Sequence, residues 1–208
     1  MNRASARSII SANLKDPDGT FYTEQDLNDS LQDAYDDIIA NTMALITSVD
    51  LNWVGDLSYY IWPEHGITDL LAPIAIFNDE TNMFLTDNLH VRDFDKIRLD
   101  WELWNGSPQF WAPVAFDRIA ITPKHLTSQG RFKLYYWQTA PTISDDSTAY
   151  SLQEDVTSLL TNYSTADLIE QAEEYAKAGT FWAAYFAQLE MYKARVKQLA
   201  KHDMLLRV

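Results

Sequence analysis

The stretch FKLYYWQTAPTISDDSTAYSLQEDV, residues 132–156, decides the fold. It opens as an aromatic strand, stops at Pro141, crosses an acidic link containing Asp145 and Asp146, and enters a helical pattern. Short aromatic runs bounded by proline read as strands. From Leu152 on, Val156, Leu159, Leu160, Tyr163, Leu168, Ile169, Ala172 and Ala176 recur at helical spacing. Ser164 or Thr165 is the expected cap of a second segment inside this run, and Ala178-Gly179-Thr180 the expected helix stop. A last helix, about 181–202, then carries Trp182, Tyr185, Phe186, Leu189, Tyr192, Val196 and Leu199 on one face.

Upstream of the quoted stretch the texture is β. Residues 57–62 (LSYYIW) end at Pro63, and 72–77 with 82–85 make a hairpin through Asn78-Asp79-Glu80-Thr81. Thr86 is the expected cap of a short helical turn to about Phe94. Residues 111–123 and 130–141 read as two further strands joined by the Lys-His-Leu-Thr-Ser-Gln loop, so that 51–141 holds five to seven strands. Before this region the chain is helical again. Residues 2–14 form a short helix with Ile9, Ile10 and Leu14 inward, broken by Pro17-Asp18-Gly19. Thr23 with Asp26 makes a capping-box pattern, and Leu27, Leu31, Tyr35, Ile38, Thr42 and Leu45 follow at helical steps. Asp29, Asp33, Asp36 and Asp37 fall on or near the opposite, solvated face.

Helices of this length are marginal alone in water, so the two ends of the chain need each other's apolar stripes. The expected fold class is therefore α+β: an antiparallel helical bundle formed by the N- and C-terminal segments, with a β-rich, sandwich- or barrel-like insertion. The expected domains are 1–50 with 150–208 for the bundle, and 51–149 for the insertion.

Composition narrows the function. The chain has 208 residues, 47% of them apolar, no cysteine, and a formal net charge of −14. Without cysteine there is no disulfide framework and no thiol nucleophile or thiolate metal site. MNRASARSIISANLKD is too polar for a signal peptide, and no run approaches a membrane span. The Asn-x-Ser/Thr triplets at Asn28, Asn105 and Asn162 are therefore read as chance. So acidic a surface repels phosphate, which argues against sequence-specific nucleic-acid binding while allowing DNA to pass nearby without sticking. Seven Trp and eleven Tyr suit either a packed core or protein interfaces.

No catalytic pattern emerges. His65, His90, His125 and His202 are isolated, there is no H-E-x-x-H or G-x-S-x-G motif, and no Gly-rich phosphate loop. Asp36-Asp37 and Glu173-Glu174 are helical neighbours that point about 100° apart, so neither can share a proton as a dyad. No metal, cofactor or enzymatic activity is expected. The C-terminus differs from the rest: Lys193, Arg195, Lys197, Lys201 and Arg207 crowd the end of an acidic chain. These cations complement a helix C-terminal dipole, or they form a basic plug for an acidic partner. The apolar Met204-Leu205-Leu206-Arg207-Val208, expected to lie past the helix, favours the plug.

The order of parts resembles the head–tail connector (adaptor) proteins of tailed bacteriophages, the ring directly beneath the portal. The likeness lies in the capped segment TEQDLNDSLQDAYDDI, the aromatic insertion opening near NWVGDLSYYIWP, and the closing strand YYWQTAPTIS with its acidic link and later helices. The chain departs from many relatives at Ser151-Leu152-Gln153, where they carry a proline. The resemblance implies a structural, non-enzymatic protein of the virion neck, made in the host cytoplasm. About a dozen copies would form a ring that extends the DNA channel and receives the tail or nozzle protein. It also implies a portal-facing segment, here Lys193, Arg195, Lys197, Lys201, Met204, Leu205, Leu206, Arg207 and Val208. Two other readings stand beside it: a carbohydrate-binding or hydrolytic virion component, suggested by the aromatics alone, and another ring-forming neck or tail completion protein.

Overall fold

A computed structural model describes residues 2–52, 57–87, 90–125, 131–152 and 156–206, with the side chains of 200–206 left out. It is an α+β protein with five helices and two sheets. The chain divides into two compact units, Met1–Leu45 with Thr139–Val208, and Ile46–Gln138.

The helical unit begins with α1 (Arg3–Leu14), capped by the Asn2 side chain, which accepts the Ser5 N–H. After α1 the chain turns around Asp16, whose carboxylate accepts the backbone N–H groups of Thr20, Phe21 and Tyr22. Helix α2 (Glu24–Thr42) starts from the expected capping box: Thr23 Oγ1 accepts the Asp26 N–H and the Asp26 carboxylate accepts the Thr23 N–H. It ends at Met43, which takes the left-handed conformation at φ 52°. Helices α4 (Thr157–Gln171) and α5 (Tyr175–Leu206) complete the unit. One apolar cluster draws on all four: Ala6 and Ile10 from α1, Leu31, Tyr35 and Ile38 from α2, Leu160 and Leu168 from α4, and Tyr185 and Leu189 from α5. The link between the units belongs to this core, since Ile143 and Tyr150 are buried in it.

The insertion contains eight strands among the described residues, more than the five to seven expected. One sheet has the order β1-β8-β3-β4, formed by Ile46–Asn52, Arg131–Gln138, Leu70–Asn78 and Met83–Phe84. The other has the order β2-β7-β6-β5, formed by Tyr59–Ile61, Arg118–Thr122, Phe110–Ala115 and Thr86–Asp87. Leu51, Ile76, Phe132 and Leu134 of the first sheet share a core with Tyr60, Trp111, Ile119 and Ile121 of the second. Proline cannot donate to a ladder, and each mid-strand proline coincides with a register shift: Pro73/Ala75 in β3 and Pro113/Ala115 in β6. Strand β7 is buried on both faces. Its Ile119 and Ile121 enter the shared core, while Ala120 packs under Phe94 of α3 (Arg92–Ile97) and Trp101, whose rings meet edge-on at 5.0 Å.

Several expectations are corrected. Thr86 does not cap a helix: it pairs in parallel with Phe110, and the helix starts at Arg92. Residues 111–123 are not one strand, because the chain reverses at Phe116-Asp117 so that β6 and β7 pair antiparallel. No strand is expected before residue 51, yet Ile46–Asn52 form β1 along β8. Ser164 and Thr165 cap nothing: they are buried inside α4, where the Ser164 hydroxyl donates to the Ser30 carbonyl at 3.1 Å. The stop expected at Gly179 lies at Glu173, which takes φ 62°, while the Glu174 N–H bonds the Ile169 carbonyl. Helix α5 then runs through Gly179 and on to Leu206, so Met204–Leu206 lie within it and not beyond it.

Candidate interaction surfaces

Several of the paired acidic residues are held in structural bonds. Asp146 accepts from Arg3 Nε at 2.7 Å and from both terminal nitrogens of Arg7, at 2.9 and 2.5 Å. These bonds, first from Arg7 and then from Arg3, hold its carboxyl below the usual carboxylate range. Asp145, its neighbour, accepts the N–H and hydroxyl of Ser147. Asp37 accepts the buried Tyr185 hydroxyl, and Tyr185 titrates far above an ordinary phenol because of burial and then that carboxylate. Glu174 pairs with Lys177 at 3.1 Å.

His65 stacks on Tyr60 with ring centroids 5.8 Å apart, and His90 is exposed before α3. His125 is buried, with Nε2 2.6 Å from a Glu80 carboxylate oxygen, a pairing that spans 45 positions and has no signature in the sequence. The side chain of His202 lies outside the described residues. Among the described residues no group of three or more His, Cys, Asp or Glu could hold a metal ion, and no helix is long and apolar enough to cross a membrane.

What remains is surface. On α2, Asp29, Asp33 and Asp36 are exposed along one side. Asp33 is raised above the usual carboxylate range, by partial burial first and then by Asp167, Asp36 and Asp29. Like charges without a nearby cation disfavour the ionised form, so this side of α2 is electrostatically unfinished. On α5, Lys193 pairs with Glu190 at 2.9 Å, and Arg195 and Lys197 are exposed. Lys201, Met204, Leu205 and Leu206 belong to α5 by their backbone, while Arg207 and Val208 lie outside the described residues. The structure thus puts Lys193, Arg195 and Lys197 on one helical segment.

Large apolar side chains are also exposed. At the β6–β7 reversal Phe116 is wholly solvent-exposed, and Pro113, Val114 and Ala115 beside it are exposed too. Leu99 and Leu103 follow α3, Phe21 sits between α1 and α2, and Phe186 and Met191 lie on α5. The periodicity argument missed Phe116, because the run 111–123 reads as uninterrupted strand. A tight turn within that run would have exposed it.

Comparison with curated proteins finds no match. Comparison with family models finds one, SU10 adaptor protein, which matches residues 1–207. The match covers the helical ends and the insertion together, in agreement with the likeness to phage head–tail adaptors seen in the order of parts. The chain belongs to the SU10 adaptor protein family.

Proposed function

We propose that the protein is the structural adaptor of a phage neck, closing as a ring of about a dozen copies below the portal. The ring extends the DNA channel and presents a platform to the tail or nozzle protein. Helices from the two chain ends serve as one antiparallel bundle, the fixed body of each copy. The insertion reaches neighbours or tail components through exposed apolar side chains such as Phe116. The acidic surface, from a net charge of −14, lets packaged DNA pass without sequence-specific binding. The C-terminal segment, Lys193 to Val208, faces the portal. The work is structural and needs no cofactor.

The observation that carries this reading is the match of the SU10 adaptor family over residues 1–207. It is supported by the way conspicuous carboxylates are spent on internal ties such as Asp146 with Arg3 and Arg7.

The test is a mixture of the purified chain with the portal protein of the same phage, weighed by native mass spectrometry. A particle containing many copies per portal ring is expected. Removing residues 203–208 abolishes that particle while the far-ultraviolet circular dichroism stays unchanged. Undiminished binding by the truncated chain removes the C-terminal docking role. Assembly also weakens as salt rises, since exposed ion pairs are screened within about 10 Å at 0.1 M.

A further inference from the structure

Helix α5 is apolar on two sides. From Ala178 to Leu189 it carries no charged residue. Tyr185, Leu189 and Tyr192 are buried in the helical core. At about 100° per residue, the side opposite these three is flanked by Phe186 and Met191. Phe186 is 57% and Met191 74% exposed, and the alanines of that side, Ala183 and Ala187, are exposed too. Glu190, exposed on the same side, is paired with Lys193 at 2.9 Å, and N-terminal to it the solvent side is as apolar as the core side, which matches a helix covered on both. The exposed ring is also held in place. Phe186 stacks on Trp182 at 5.9 Å and 24°, and the Trp182 indole N–H donates to Glu170 at 2.7 Å.

Charge indicates what covers this side. Copies that each carry −14 repel one another, so a contact between them has to bring cations to carboxylates. The same outward side of α5 leads to the exposed Lys197. The exposed carboxylates of Asp29, Asp33 and Asp36 line α2. These are two different surfaces of one unit, so their meeting joins copies head to tail, not one face to its own image.

We propose that the outward side of α5, from Phe186 through Met191 to Lys197, seats on the acidic side of α2 of a second copy. This rests on the ring reading above, because a head-to-tail contact closes only by repetition around an axis. It also confines the portal-facing part of the C-terminus to residues 201–208.

The absence of cysteine allows a clean test. Full-length chains carrying Ala187→Cys and Ala40→Cys, the latter exposed two turns beyond Asp33 on the same side of α2, are mixed, assembled with the portal, treated with a flexible bis-maleimide, and weighed both intact and denatured. Joined Ala187→Cys/Ala40→Cys pairs are expected, with few pairs between two Ala187→Cys chains. Separately, Lys197→Glu lowers the assembled fraction about tenfold, and adding Asp33→Lys to that chain restores most of it. Circular dichroism confirms that each variant is folded. Particles of ring mass in which these two positions never join, or in which Ala187→Cys joins only itself, overturn this contact and leave the ring reading standing. If no many-copy particle forms, the ring reading falls and the contact falls with it.

Discussion

Asp146 and Asp117 make similar bonds and join different things. Asp146 binds Arg3 and Arg7, which lie 143 and 139 positions away, and so fastens the insertion's exit link to the first helix. Asp117 binds Arg118, the next residue, at 2.9 Å. The contrast extends to each unit. In the helical unit the Tyr22 hydroxyl reaches the Leu168 carbonyl, Ser30 reaches Asp167, and Tyr185 reaches Asp37, all across more than a hundred positions. In the insertion some charged ties are local, as in Lys96–Asp93 and Arg98–Asp100, and the longer ones, such as Arg131–Asp50 and His125–Glu80, close within the same segment. A unit assembled from both chain ends fails when either end is removed, whereas a contiguous segment carries its partners with it.

Deleting residues 2–14 puts this difference between the units to the test. That removes the fully buried Ala6 and Ile10 and both arginines on Asp146. The helical unit is expected to lose its cooperative melt while the insertion keeps its near-ultraviolet aromatic signal. Simultaneous loss of both signals would show that the two units do not fold independently. Next, Leu160→Ala empties a fully buried site in the shared helical core and costs about 2–5 kcal/mol, read from urea unfolding.

A third prediction concerns acid. The folded Asp146 carboxyl lies below its ordinary value of 3.8, held there by Arg7 and Arg3. Its contribution is complete above that ordinary value and disappears as pH falls through the lower folded one. Melting of the helical unit should therefore fall as pH drops below 3.8, and Asp146→Asn should flatten part of that fall. An unchanged acid profile in that variant would assign the sensitivity to other carboxylates, such as Asp16 with its three backbone donors. The smallest effect is the opposite in sign. Asp33→Asn removes a partly desolvated charge and its repulsion from Asp167, Asp36 and Asp29, and raises stability of the unassembled chain by about 0.2–0.5 kcal/mol.

Elements set by local chemistry were legible in the sequence. Thr23 and Asp26 are three residues apart and satisfy each other's backbone, so the start of α2 was legible without any tertiary partner. The Asn78–Thr81 turn was legible for the same reason: the Asn78 side chain accepts from Glu80 and Thr81. Helix–sheet–helix order and the adaptor likeness followed from such elements in series. Of the proposed docking surfaces, the basic run at Lys193–Lys197 could be read directly, while the exposure of Phe116 and Met191 could not.

Other features depend on contacts between residues far apart in the chain. Ser164 looks like a cap until Ser30 supplies the bond that lets it be buried in mid-helix. Gly179 looks like a stop, yet the left-handed residue is Glu173, where the chain turns to bring α5 onto α4. Ile46–Asn52 lacks a strong strand pattern and pairs because β8 offers it a ladder. The Asp146 clamp and the His125–Glu80 pair join residues too far apart for any spacing rule. In each case a buried polar group or an open backbone edge needs a partner that only folding brings within reach.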